Sequence, residues 1–344
     1  MRATVFTEAA LKKQAGRFVW LSIDTEELKN AAFLEKYPFE AVPTFEVIDA
    51  KTEKVAYTWI GAVDLAELVR RFDEAEVAFR RTDATTAALP SSPDAGLLAL
   101  SMAGKNDECA QSALTLLPGL PPGGPKAGVA AIGLDCALSA KEDAPWRAAA
   151  LVSLEAAVRE ALRYDGLLDD DRSGLYSTLV DARDRQNDEA GGKAAAVAWL
   201  DWLDAQARSA PSPEARAALD GYRVGAAQRA GAPERVLAAI QQSERELPND
   251  YNPPARLAAV FRQMGRYDEA LAASDRALSK VYGPRTITLL DARATIFEKK
   301  GDPEGAKTAL RQALEFAATL PDSERTKRTI ARIEKRLGQV GRAD

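Results

Sequence analysis

The sequence predicts two successive fold classes, a short α/β segment followed by an all-α solenoid, and three observations carry that prediction. Runs of strand formers, FVWLSID at 18–24, FEVID at 45–49 and KVAYTWIG at 54–61, are confined to the first part of the chain. After residue 61 the sequence turns to alanine-rich segments with helical spacing, such as AAVREAL and KAAAVAWLDWLDAQA. Finally, Gly231, Gly265 and Gly301 recur 34 and 36 residues apart, a period that belongs to stacked helix pairs.

The first elements follow in order. An amphipathic stretch over 3–15 opens the chain. Phe18, Val19, Trp20, Leu21 and Ile23 form a nearly continuous apolar run, the pattern of a parallel strand buried on both faces. Asn30 to Tyr37 reads as a short helix that stops before Pro38, because a residue preceding proline is pushed out of helical geometry. Phe45 and Val47 alternate with polar residues, as do Val55, Tyr57 and Trp59 across the link DAKTEK, so two antiparallel strands are expected. Gly61 ends the second strand. Asp64 then opens a helix with Leu65, Leu68, Val69 and Phe72 on one face.

This order resembles the second half of a thioredoxin-like fold over residues 1–75, with Phe18–Asp24, the Val42-Pro43-Thr44 turn and the Gly61 turn as its specific parts. The resemblance implies a cis bond before Pro43 and makes Val42, Pro43 and Thr44 a substrate-facing loop; the alternative is a trans proline opening an edge strand. The family's first strand and its Cys-x-x-Cys are missing. That strand lies in the middle of the family's sheet, so its loss leaves two rows of backbone groups unpaired, at about 1–3 kcal/mol for each buried group. Either the flanking strands pair directly or the domain is incomplete. An internal methionine taken as the start accounts for the gap.

Residues 81–93, rich in Thr, Ser, Pro and Ala, read as a linker. Residues 94–208 read as helix pairs, broken firmly at LPGLPPGGPK (117–126). Residues 209–340 carry the periodic glycines, and GRYDEALAASDRAL resembles the tetratricopeptide repeat family, with a two-residue insertion near Gly283 and the match extending over about 217–320. The resemblance implies antiparallel helix pairs. Ala270, Ala277, Ala306 and Ala313 stand where the two helices of a pair approach closely, Leu278 and Leu314 toward the next repeat, and Phe261 and Phe297 on the first helices. SERTKRTIARIEKRLGQV reads as a charged capping helix. Such repeats bind peptides along a concave face or serve as spacers. The groove positions Asn252, Ala255, Ala259, Arg262, Gly221, Gly225 and Gln228 lack the Lys/Asn set that grips a terminal carboxylate. Asn252 and Arg262 are the candidate contacts, Arg262 for an acidic ligand, with a solvated arginine as the alternative.

Composition narrows the chemistry. The 344 residues are 46% hydrophobic and 28% charged, with a net charge of −5 that argues against nucleic acid as a partner. No histidine is present, which excludes a His general base, a Ser-His-Asp triad and a His-ligated metal. Cys109 and Cys136 are too far apart for a Cys-x-x-Cys and are expected to be two small buried apolar residues, with a long-range disulfide as the alternative. The run Asp169-Asp170-Asp171 reads as a solvated loop or helix start rather than a metal site. No cofactor is expected.

No apolar run reaches the roughly 18 residues of a membrane span, and no signal peptide is visible after Met1. The chain as given therefore reads as cytoplasmic, or as periplasmic or cell-envelope if a signal lies upstream. The function expected of it is a non-catalytic scaffold for protein or peptide partners, the oligomeric state left open. The alternative is a shortened thiol-disulfide oxidoreductase whose full-length form acts on protein thiols.

Overall fold

A computed structural model describes residues 6, 9–39, 42–80, 93–321 and 324–341. Most of the predicted linker, residues 81–92, lies outside them. The chain divides into two compact units. One comprises Met1–Gln14, Ala41–Leu203 and Arg229–Gly231; the other comprises Ala15–Glu40, Asp204–Gln228 and Ala232–Asp344.

In chain order the elements are α1 (Ala31–Lys36), β1 (Thr44–Ile48), β2 (Val55–Ile60), α2 (Leu65–Arg80), α3 (Pro93–Met102), α4 (Asn106–Leu116), α5 (Gly124–Ser139), α6 (Arg147–Ala161), α7 (Asp169–Arg185) and α8 (Glu189–Ser209). These are followed by α9 (Pro213–Ala218), α10 (Asp220–Ala230), α11 (Glu234–Glu246), α12 (Asn252–Gln263), α13 (Tyr267–Leu278), α14 (Arg285–Lys300), α15 (Pro303–Ala317) and α16 (Glu324–Leu337). Ala9–Gln14, within the expected amphipathic opening, is a 3-10 turn.

In the first unit, β1 and β2 pair antiparallel with Phe45 opposite Trp59 and Val47 opposite Tyr57. The cross-strand alternation places these rings together, and Phe45 stacks on Trp59 at 4.6 Å. The link between the strands is closed by Asp49, which accepts hydrogen bonds from the Lys51 amide and the Thr52 hydroxyl. Asp64 caps α2 by accepting from the Glu67 amide at 2.8 Å. Leu68, Phe72 and Ala75 of α2 are buried, as their helical spacing requires.

The expected strand at 18–24 does not form. Among the described residues the sheet has two strands, and Val19 and Leu21 are 90% and 73% exposed. An apolar run is only a candidate for a strand; the strand exists when a neighbouring backbone supplies the ladder. Here β1 pairs with β2, and residues 18–24 are not part of that sheet. Among the described residues a thioredoxin-like fold is not shown; they form a two-stranded hairpin followed by a helix.

Helices α3 to α7 enclose a second core of the same unit, centred on Leu134, Leu154, Val158 and Leu175. Each such side chain contributes roughly 1.5–3 kcal/mol on burial. Gly133 of α5 faces Ala113 of α4, where an added Cβ would lie 2.4 Å from the alanine's own, so the two backbones meet at a distance only this pairing permits. The expectation of two free buried cysteines is corrected here: Cys109 on α4 and Cys136 on α5 form a disulfide, with both residues fully enclosed. The close α4–α5 packing brings their Cα atoms to 6.0 Å, within the range a disulfide spans. The Asp169–Asp171 run is the first turn of α7, where three carboxylates meet the positive end of the helix dipole.

In the second unit, α12 with α13 and α14 with α15 form two helix pairs joined at Gly265 and Gly301, both with positive φ (72° and 82°). Ala270, Ala277, Ala306 and Ala313 are buried. Leu278 and Leu314 pack at the edge of the core formed by α14, α15 and α16, whose inward anchor is the enclosed Ile333. Phe297 lies over Gly305, leaving no room for a Cβ there. Neighbouring helices are further tied by ion pairs between Arg276 and Glu244 (2.7 Å), Lys300 and Asp268 (2.6 Å), and Arg332 and Asp291 (2.7 Å).

Candidate functional site

Between the first helices of the two pairs, α12 and α14, runs a shallow cleft of about 180 Å³. Its surface is built from small side chains, Ala255, Ala258, Ala259, Ala277 and Ala292 with Ser274, while Leu289 and Ile296 supply the apolar edge. The composition follows from the packing. Where helices must approach closely alanine is required, and the same alanines leave a depression on the open side.

Two arginines border the cleft. Arg262, in the last turn of α12, is partly buried and makes no side-chain hydrogen bond or ion pair to any described residue. Arg293 on α14 is already engaged: it pairs with Asp275 at 2.7 Å, donates to the Leu271 carbonyl at 3.3 Å and lies 5.3 Å from the centre of the Phe297 ring. Arg262 is thus the cation with unspent donors, and Arg293 adds positive potential while fixed in place. Five N–H donors in a planar fork suit a carboxylate.

The other sequence candidates fall elsewhere. Asn252 stands at the first position of α12 and is not part of the cleft lining; its Nδ2 donates to Asp250 Oδ1 at 2.8 Å, folding it back on the preceding turn. Gly221 faces the guanidinium of Arg256, and the Gln228 carbonyl accepts from Gln263 Nε2 at 3.3 Å. Val42 and Pro43 are exposed, and their peptide bond is cis. The Pro43 carbonyl accepts from the Gly61 amide at 2.9 Å, and Thr44 pairs opposite Ile60. Arg293 went unnoticed in the sequence, although its i,i+4 spacing to Phe297 was a usable signal.

Among the described residues no group of three or more His, Cys, Asp or Glu is arranged to hold a metal ion. No helix among them is long and apolar enough to cross a membrane. One charged pocket lies in the second unit away from the cleft. Asp220 is fully buried and accepts from Arg223 at 3.3 Å, and Arg223 also donates to Asp204 at 2.8 and 3.0 Å. Burial raises the Asp220 pKa against the pull of Arg223 and Arg256.

Residues 251–319 match the family model for the tetratricopeptide repeat. No curated protein matches the chain. Among solved structures, the chain is similar to a tetratricopeptide repeat protein from Parabacteroides merdae ATCC 43184, with 13% identity and a TM-score of 0.41 over 78% of this chain and 93% of that one. It is similar also to BtubC (BKLC) from P. vanneervenii, with 14% identity and a TM-score of 0.37 over 68% and 96% of the two chains. A third is the assembly chaperone of RpL4 (Acl4), with 15% identity and a TM-score of 0.35 over 73% and 97%. The cleft lies within residues 251–319, the segment that matches the tetratricopeptide repeat model.

Proposed function

We propose that the protein is a non-catalytic interaction scaffold whose repeats hold an extended acidic segment of a partner in the cleft between α12 and α14. The observation that carries this reading is Arg262, partly buried at the edge of an alanine-lined cleft and without a side-chain partner among the described residues. A half-desolvated guanidinium with open donors is a cost to the free protein, and a carboxylate removes that cost through charge-assisted hydrogen bonds. The alanine lining admits a peptide backbone close to the helices, so shape supplies affinity and Arg262 supplies orientation.

The test is a positional library of nonapeptides, with free or amidated C-termini, offered to the wild type and to Arg262→Glu. Peptides bearing a carboxylate are expected to be retained by the wild type and lost by the variant. Equal retention by both proteins overturns the reading.

A finer reading, a thiol-disulfide oxidoreductase, draws on the hairpin and α2 following one another in the order the thioredoxin-like family uses, and it assigns Val42, Pro43 and Thr44 to the substrate-facing loop. Its check is translation of the coding DNA upstream of Met1: an in-frame Cys-x-x-Cys supports it, and a nearby stop codon rejects it. The Cys109–Cys136 bridge favours the cell-envelope location over the cytoplasmic one, because enclosed structural disulfides belong to oxidising compartments. Alkylating free thiols at the moment of cell lysis tests this, and a fully alkylated pair would reject it.

A further inference from the structure

The repeat spacing lengthens from 34 to 36 residues across Gly283, and the lengthened loop between α13 and α14 carries an occupied surface of its own. It lies apart from the cleft and does not depend on what the cleft binds. The loop residues Tyr282 and Gly283, with Arg285 at the start of α14 and Tyr251 beside α12, meet the turn Asp24–Glu27 within the second unit.

The turn is shaped to present two carboxylates. Asp24 Oδ1 accepts from the Glu26 amide at 2.9 Å and the Asp24 carbonyl accepts from Asn30 Nδ2 at 2.8 Å, leaving Asp24 Oδ2 to accept from the Tyr282 hydroxyl at 2.8 Å. Tyr282 stands edge-on to Tyr251 at 6.3 Å. Gly283 adopts φ +59°, and a Cβ built on it would lie 1.9 Å from the Glu26 carbonyl oxygen, so the loop backbone runs directly against the turn backbone. Any side chain at 283 evicts Glu26.

The fit in cis is incomplete. Glu26 Oε1 sits 3.8 Å from Arg285, beyond hydrogen-bond distance, and Glu26 Oε2 is buried without a hydrogen-bond partner. An orphaned buried carboxylate oxygen costs free energy that a better-seated acidic group recovers.

We propose that Tyr251, Tyr282, Gly283 and Arg285 form a recognition site for an Asp-x-Glu turn, filled by the chain's own Asp24–Glu27, and that a partner carrying the same acidic spacing displaces it. The hydrogen bond to Asp24 also holds the Tyr282 hydroxyl protonated, its pKa pushed up to about 12, consistent with a donor committed to a carboxylate. The site therefore acts as a latch, held by one tyrosine hydroxyl and one loose ion pair at high local concentration.

The experiment uses the full chain and a synthetic peptide of residues 21–30. The double variant Asp24→Asn, Glu26→Gln opens the latch with amides of the same shape, removing the two charges and little volume. It is expected to raise hydrogen exchange over 24–30 at least tenfold and to bind the peptide at least tenfold more tightly than the wild type. Adding Tyr282→Phe and Arg285→Ala to the open variant is expected to abolish that binding, and so is raising the salt to 0.5 M. Gly283→Val displaces the turn and closes the site together, so it is expected to raise exchange over 24–30 with no gain in peptide binding. Equal peptide binding by wild type and open variant, binding that survives loss of Tyr282 and Arg285, or no binding to the open variant at millimolar peptide each overturns the proposal.

Discussion

Reducing the Cys109–Cys136 bridge should weaken the first unit and leave the repeats untouched. The bridge closes a loop of 27 residues between α4 and α5, and releasing a loop of that size returns conformational entropy to the unfolded chain equivalent to about 3.5 kcal/mol. That figure is an upper one, because Pro118, Pro121, Pro122 and Pro125 within the loop already restrict the unfolded chain. Reduction leaves both sulfurs in their enclosed places, so it isolates the cross-link. A Cys109→Ala, Cys136→Ala double variant adds the loss of packed atoms, roughly 1 kcal/mol for each.

Hydrogen exchange resolved by peptide is the suitable assay, since each unit reports separately. On adding dithiothreitol under denaturing conditions and refolding, the slowest amides of α4 and α5 should exchange up to a few hundredfold faster, while those of α12 to α15 keep their rates. If α4 and α5 retain their protection after the bridge is shown to be reduced, the cross-link carries no stability and the reasoning fails.

Ala270→Leu should lower the stability of the repeat unit by about 1–3 kcal/mol, measured by thermal melting, because Ala270 is fully buried on α13 away from the cleft lining and the added carbons overpack the core. Asp171 should make stability fall as pH rises. Burial and the neighbouring Asp170, Asp94 and Asp64 raise its pKa to about 6, outweighing the opposing hydrogen bond with the Leu168 backbone. The folded state therefore holds a proton that the unfolded state releases near pH 4, so stability declines between about pH 4 and 6 and stays low above. Asp171→Asn should flatten that decline and stabilise the protein at pH 8 by up to about 3 kcal/mol, read from urea denaturation across pH. Finally, the chain should show no insulin-reductase activity above background, because both sulfurs are enclosed; activity that vanished in the double cysteine variant would contradict this.

What the sequence made legible was local. The glycines at 265 and 301, the small residues at 270, 277, 306 and 313, and the alternation at 45–47 and 55–59 each report a turn, a close contact or a half-buried strand through nearest neighbours alone. The misreadings were tertiary. FVWLSID has the composition of a buried strand, yet a strand needs a partner backbone, which no property of the run itself can supply. Cys109 and Cys136 do lie on separate helices, but that those helices pack side by side depends on Gly133 meeting Ala113, a contact invisible in the spacing. At the cleft, Arg262 could be read from its place in the repeat. Tyr282 and Gly283 registered only as an insertion, because what they touch lies more than 250 residues earlier in the chain.

The alanine seams of the repeats also determine how stiff the protein is. A side chain without rotamers loses no side-chain entropy when it is enclosed, and it offers no alternative packing once there. An interface of leucines can yield by rearranging; one of alanines is backbone against backbone and has a single setting. Ala277 is at once buried and part of the lining of the cleft, so the floor of the cleft is a core side chain. A bulkier guest must part α12 from α14, so the limit on its size is set by how one helix pair stacks on the next.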